Sequence, residues 1–228
     1  MINPTMDAFE FSPRGSADAS IIWMHGLGAA GDDFVDILDK FSFEGFNPRF
    51  IFPNAPIRAV TCNNGLKMRA WYDIKNFEEI IQDNQQSDSH QGLIESQQLI
   101  NSFIQREMDY GIPSHKIILV GFSQGGALAL QTGLRFPIKL GGIACLSGYL
   151  PWEHLLSIEQ HPANQATKVF MAHGMLDPVI PIYLAQHSCD VIKNLNYDIA
   201  WHVYSMPHTI IENEIVDLNN FFNKVLID

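Results

Sequence analysis

The sequence is short of cysteine, of basic charge and of long apolar runs. Three cysteines, Cys62, Cys145 and Cys189, occur in 228 residues, and no pair has C-x-x-C spacing. Reduced thiols, buried or incidental, fit that pattern better than a disulfide framework or a zinc site. Lys and Arg total 14 against 25 Asp and Glu, a net charge of −11. A surface of that sign repels phosphate backbones and anionic lipid, so nucleic acid is not expected as a partner. No apolar run approaches the ~20 residues that span a bilayer, so stable membrane insertion is not expected. Met1 to Arg14 carries acids and prolines without an apolar segment, so no secretory signal is read there. A cytoplasmic protein folded as one domain over 1–228 follows as the expectation.

What is present is an alternation of short apolar runs with helical patterns. Ser20 to His25, Arg49 to Pro53, Lys116 to Phe122, Leu140 to Leu146, Lys168 to His173 and Asp198 to Tyr204 read as strands. Helices are expected around Phe34, Leu38 and Phe41, over Gln91 to Tyr110, after Ser123, from Pro181 to Leu195 and along Ile211, Ile215, Leu218, Phe222 and Val225. Strands that are apolar throughout and alternate with helices imply a mostly parallel α/β sheet covered on both faces. Asn54 to Ser89 is read as a long irregular loop whose apolar residues, through Leu66, Trp71, Phe77 and Ile81, argue for packing.

The stretch from Lys116 to Leu130 organises the rest. A β-branched strand runs into Gly121-Phe122-Ser123-Gln124-Gly125, and an Ala- and Leu-rich helix follows at once. Strand, sharp turn and helix are the context of a nucleophile elbow, which raises a serine hydroxyl above the sheet on strained backbone. Outside that context Gly-x-Ser-x-Gly would be an ordinary tight turn.

Ligands of such sheets collect beyond the carboxyl ends of the strands, so those ends are where partners for Ser123 are sought. The strand ending at His173 is followed by Asp177, and the strand ending at Tyr204 is followed by His208. A serine hydroxyl needs a histidine to take its proton, and the imidazole needs a carboxylate to fix its tautomer. The chain order Ser123, Asp177, His208 resembles that of α/β-hydrolases. Asp177 could instead cap the helix near Pro181, and His208 could be a solvated loop residue. His202 is the rival histidine, but it lies in a strand read as buried on both faces, where a packing role fits better.

Gly26-Leu27-Gly28-Ala29-Ala30-Gly31 matches the dinucleotide pattern G-x-G-x-x-G, with a strand before and a helix after. The next strand ends Phe52-Pro53-Asn54, without the acid that would hold a ribose, which argues against a nucleotide cofactor. An oxyanion hole is the other use of such a loop, with the backbone N–H groups of Leu27 and Gln124 converging on one oxygen. His25, His173 and Asp177 could meet near the strand ends, but no metal-ligand spacing such as H-E-x-x-H is present. His25 and His173 each precede a glycine, a position that suits structural hydrogen bonding. No metal and no cofactor are expected.

These segments together resemble the phospholipase/carboxylesterase family. Met24 to Gly28, Gly121 to Gly126, His173-Gly174-x-x-Asp177-x-Val179-x-Pro181 and Met206-Pro207-His208 carry the resemblance, which extends from about Ala19 to Phe222. Ala55 to Ile74 is similar to the bacterial carboxylesterase branch. The resemblance implies an α/β-hydrolase fold without a large separate cap domain, and Ser123, Asp177 and His208 as a triad. It also implies an acyl groove roofed by the loop around Met68, Trp71 and Tyr72 with Val179 beside it. The apolar part of the 54–89 loop, Leu66 to Ile81, suits a long acyl chain if it opens as a lid. Glu212-Asn213-Glu214 departs from the adjacent acids frequent in the family, which bears on helix-start contacts rather than on the chemistry. The expected activity is hydrolysis of carboxylic esters, and of thioesters, with short to medium acyl chains, a small-molecule or lipid-like acyl substrate. The alternative within the class is a lysophospholipase or acyl-protein thioesterase acting on long chains. Outside it stands a non-catalytic binding protein on the same fold. The chain alone leaves a homodimer open.

Overall fold

Runs such as Ala19 to Met24 and Ile117 to Phe122 are apolar on both sides of the strand, and such strands are stable only when both faces of the sheet are covered. The computed structural model describes residues 6–13, 15–75 and 89–227 and shows that arrangement. In chain order the strands are β1 (Ala8–Phe11), β2 (Ala19–Met24), β3 (Pro48–Pro53), β4 (Ile57–Val60), β5 (Leu66–Arg69), β6 (Ile117–Phe122), β7 (Gly142–Leu146), β8 (Lys168–Gly174) and β9 (Ile199–Tyr204). The helices are α1 (Ser89–Asp109), α2 (Gln124–Gly133), α3 (Glu153–Glu159), α4 (Ile182–Asn194) and α5 (Glu212–Ile227), with a 3-10 helix over Gly31–Lys40.

Seven strands form one sheet in the order β1-β3-β2-β6-β7-β8-β9, parallel throughout except for the β1–β3 pair. Side chains alternate between its faces, as the strand period of two requires. Ile22, Met24 and Leu119 join Ile100, Phe103, Ala127 and Leu128 of α1 and α2 on one side. Ile21, Trp23, Phe50 and Phe170 join Leu218, Phe221 and Phe222 of α5 on the other. Phe41 closes the 3-10 helix onto this second face, 5.4 Å from Phe222 and 5.9 Å from Trp23, ring centre to ring centre.

Two expectations are corrected. The segment read as irregular from Asn54 contains a hairpin, β4 paired antiparallel with β5. Its connection, Thr61 to Gly65, is a 3-10 turn over Thr61–Asn63 closed by Asn64 and Gly65, both at positive φ (56° and 73°). The part of the predicted loop holding Phe77, Ile80 and Ile81 lies outside the described residues. The last strand is not buried on both faces, because β9 is a sheet edge and its residues are half-buried or exposed. His202 therefore reaches Asp217 of α5, Nδ1 to carboxylate 3.3 Å, and stacks on Phe170 at 4.7 Å.

The first turn of α5 buries a carboxyl. Glu214 is 0% exposed, and burial pushes its carboxyl up to about 8 against the pull of the Ile211 backbone. Its ordinary value is 4.5. Between those two pH values the unfolded chain has released a proton that the native state keeps, so this group's contribution to stability falls as pH rises and levels off above about 8. Glu214→Gln, a neutral isostere, is expected to stabilise the protein more at about pH 8.5 than at about pH 5, by a difference on the order of a few kcal/mol. Thermal unfolding of both proteins at the two pH values reads the effect, and a pH-independent shift would contradict it.

Candidate active site

Ser123 sits between β6 and α2 with φ 56° and ψ −120°, a backbone conformation that L residues rarely adopt. Two close approaches hold it there. A Cβ at Gly121 would lie 2.1 Å from the Gly125 carbonyl, and one at Gly125 would lie 2.3 Å from the Met24 carbonyl oxygen. Strand and helix can meet at that separation only where both positions are glycine. The Ser123 N–H donates to the Leu146 carbonyl at 2.8 Å, which ties the turn to the neighbouring strand.

Asp177 follows β8, and its carboxylate is fully enclosed. One carboxylate oxygen accepts from the Val179 and Ile180 N–H groups at 2.8 and 2.9 Å, and the other accepts from His208 Nδ1 at 2.6 Å. Its capping bonds and its bond to histidine thus use different oxygens. His208 lies on the β9–α5 connection and rests on the Phe122 ring at 4.8 Å. With Nδ1–H donated to the carboxylate, Nε2 is left as an acceptor, and it stands 2.9 Å from Ser123 Oγ. The three side chains named from the sequence therefore form one hydrogen-bonded line. His173 lies beneath it, donating Nε2–H to the Ile180 carbonyl at 2.8 Å and standing 3.4 Å from the second Asp177 oxygen. Burial lowers the His173 pKa, so the ring is held neutral.

A cleft of about 270 Å³ opens over Ser123 and His208. Leu27, Ala29, Phe34, Ile74, Phe122, Tyr149, Val179 and Ile180 line it together with Gln124. The walls are mainly apolar and the polar groups converge on Ser123, the character of a site for an acyl chain with one reactive carbonyl. Gln124 is the first residue of α2, where an N–H has no acceptor within the helix. The Leu27 N–H has no backbone acceptor among the described residues. The glycine loop that carries Leu27 is tied to β5 by the Gly28 N–H, which donates to the Arg69 carbonyl at 2.8 Å.

The residues expected to roof the groove divide. Val179 lines the cleft, whereas Trp71 and Tyr72 are buried behind the loop and do not. The Trp71 N–H donates to Gln124 Oε1 at 2.9 Å, and the Tyr72 hydroxyl shares a 2.8 Å hydrogen bond with Tyr149. Both carry polar groups that find partners inside the protein, which draws them into the core rather than the groove. Met68 is half-buried, its sulfur 3.6 Å from where a Cβ on Gly28 would stand. Among the wall residues that the sequence reading missed, Phe122 and Ile180 adjoin named site residues and had that signal. Phe34 and Tyr149 reach the cleft through the packing of separate elements, and no local pattern marks them.

Residues 7–226 match the family model described as phospholipase/carboxylesterase. The chain is 36% identical over 223 residues to the acyl-protein thioesterase 1 of Mycosarcoma maydis, covering 91% of each. It is 37% identical over 224 residues to that of Saccharomyces cerevisiae, covering 92% of this chain and 94% of the relative. Among solved structures, Arabidopsis thaliana SOBER1 superposes with a TM-score of 0.83 at 28% identity, covering 91% of this chain and 99% of the other. The apolar cleft and its serine thus sit on a shared α/β-hydrolase fold, and the chain belongs to the phospholipase/carboxylesterase family of hydrolases.

Proposed function

We propose that the protein is a serine hydrolase that cleaves long-chain acyl thioesters and esters through an acyl-enzyme. The observation that carries this reading is the line from Ser123 Oγ to His208 at 2.9 Å and from His208 to Asp177 at 2.6 Å. Ser123 Oγ attacks the carbonyl carbon as its proton passes to His208 Nε2, and the carbonyl oxygen becomes an oxyanion facing the Leu27 and Gln124 N–H groups. When the tetrahedral species collapses, the bond to sulfur or oxygen breaks, and His208 returns the proton to the leaving thiol or alcohol. Water, activated by the same histidine, then attacks the acyl-serine and releases the acid. Asp177 keeps Nδ1 protonated and steadies the imidazolium that forms in each half-reaction.

The thioester side of the reading is supported by the relatives' name, acyl-protein thioesterase 1, and the long-chain side by the apolar walls of the cleft. The similarity of Ala55 to Ile74 to carboxylesterases favours a second reading, hydrolysis of short- to medium-chain carboxylic esters.

Two outcomes test these assignments. Asp177→Asn retains an oxygen for the Val179 and Ile180 N–H groups but presents an amide to His208, so kcat is expected to fall on the order of 10⁴-fold while the fold is kept. A loss under about tenfold would remove Asp177 from the mechanism. Acyl-CoA thioesters and p-nitrophenyl esters of graded length separate the two substrate readings. Each methylene buried contributes about 0.8 kcal/mol, roughly fourfold in kcat/KM, so values are expected to climb from acetyl towards palmitoyl. An optimum at acetyl or butyryl esters would favour the second reading instead.

A further inference from the structure

His25 is 0% exposed and stands one residue before the glycine loop, yet it makes no contact with Ser123 or Asp177 among the bonds found in the site. Both of its ring nitrogens are used. Nε2 accepts the Ala55 N–H at 3.0 Å, which leaves the ring's proton on Nδ1. Nδ1–H donates to the Gly26 carbonyl at 2.7 Å. That carbonyl and the Leu27 N–H belong to one planar trans peptide group, in which C=O and N–H point in opposite directions. Fixing the oxygen on His25 therefore fixes where the Leu27 N–H is aimed. The Ala29 N–H reaches the same carbonyl at 3.2 Å, a longer bond that closes the turn from the other side.

The neighbouring peptide is held as well. The Trp71 indole N–H donates to the His25 carbonyl at 2.8 Å, and its ring packs 5.1 Å from the imidazole. The Trp71 backbone N–H donates to Gln124 Oε1, while Gln124 Nε2 donates to the Tyr72 carbonyl at 2.8 Å. Leu27 and Gln124 come from different strand ends, and these bonds brace one against the other. The tautomer that does this is neutral, since a protonated ring has no lone pair for Ala55. Burial lowers the His25 pKa and Arg69 lowers it further, against Asp33 and Asp32 and the Gly26 carbonyl, which raise it.

We propose that His25 is a positioning residue that aims the Leu27 N–H at the substrate's carbonyl oxygen through the Gly26 peptide, with Trp71 tying this donor to Gln124. The proposal rests on the reading of Leu27 and Gln124 as oxyanion donors. It gives a buried histidine outside the proton-transfer line a role in the rate rather than in stability alone.

Two isosteres separate the ring's two bonds. In His25→Asn the amide nitrogen takes the place of Nδ1 and can still donate to Gly26, but the Ala55 N–H loses its acceptor. In His25→Gln the amide oxygen takes the place of Nε2 and keeps Ala55, but the bond to Gly26 is lost. The Asn variant is expected to hold kcat within about fivefold of wild type. The Gln variant is expected to lose about 10- to 100-fold in kcat with KM within about twofold, less than the roughly 10²–10³ that removal of a whole oxyanion donor costs. A Gln variant with kcat equal to or above that of the Asn variant overturns the proposal, whatever their melting temperatures. Should the Gln variant melt below the assay temperature, His25→Ala takes its place, and kcat equal to that of the Asn variant has the same consequence. The wild type and Ser123→Ala are assayed beside them. Loss of activity in Ser123→Ala with unchanged kcat in every His25 variant refutes only the role of His25, whereas an active Ser123→Ala refutes the underlying functional reading and this proposal with it.

Discussion

The close approach of β6 and α2 at the Ser123 turn is the constraint on which the site depends. Residues 121 and 125 have no space for a Cβ, so the helix starts directly against the strand and the serine between them is forced to positive φ. Strain of this kind costs about 1–3 kcal/mol and persists only where the surroundings over-determine it. Here they do, because β6 is the middle strand of the seven and α2 is buried along its whole length. The geometry places the hydroxyl above the sheet's carboxyl edge and the first N–H of α2 beside it.

The partners of that serine arrive on three other strand ends, and each is tethered where it leaves the sheet. Asp177 is fixed by two backbone N–H groups of its own turn. The segment that carries His208 runs from β9 to α5, and Tyr204 at the end of β9 donates to Asp217 of α5 at 2.7 Å. The glycine loop is held by the backbone of β5, by the Asn54 side chain at Gly31 and by the His25 ring. Loops set on such supports lose little freedom when a substrate binds, the condition for donors that stabilise a developing charge without reorganising.

The sheet, its helices and the three residues Ser123, Asp177 and His208 were legible in the sequence because each is encoded locally. A buried parallel strand is a short apolar run, and the turn that follows it carries the functional residue. What escaped was set by tertiary placement. The hairpin was hidden because β4 and β5 are four residues each and neither is a buried apolar run, although Asn64-Gly65 marked the end of the connection. The solvent-facing side of β9 follows from its place at the edge, which no residue in it announces. Trp71 and Tyr72 were expected in the groove from the family resemblance, yet their N–H and O–H groups find partners on Gln124, His25 and Tyr149. Aromatic residues with polar tips suit a binding wall and a polar seam in the core equally well, and only the fold decides between them.

The central claim is that Ser123 becomes acylated. Intact-protein and peptide mass spectrometry after treatment with a fluorophosphonate tests it most directly, because the reagent phosphonylates a serine only when a base and an oxyanion hole activate it. The account predicts one adduct per chain, on the peptide containing Ser123, and none in Ser123→Ala. An adduct on another residue, or no adduct on the folded native protein, would contradict it.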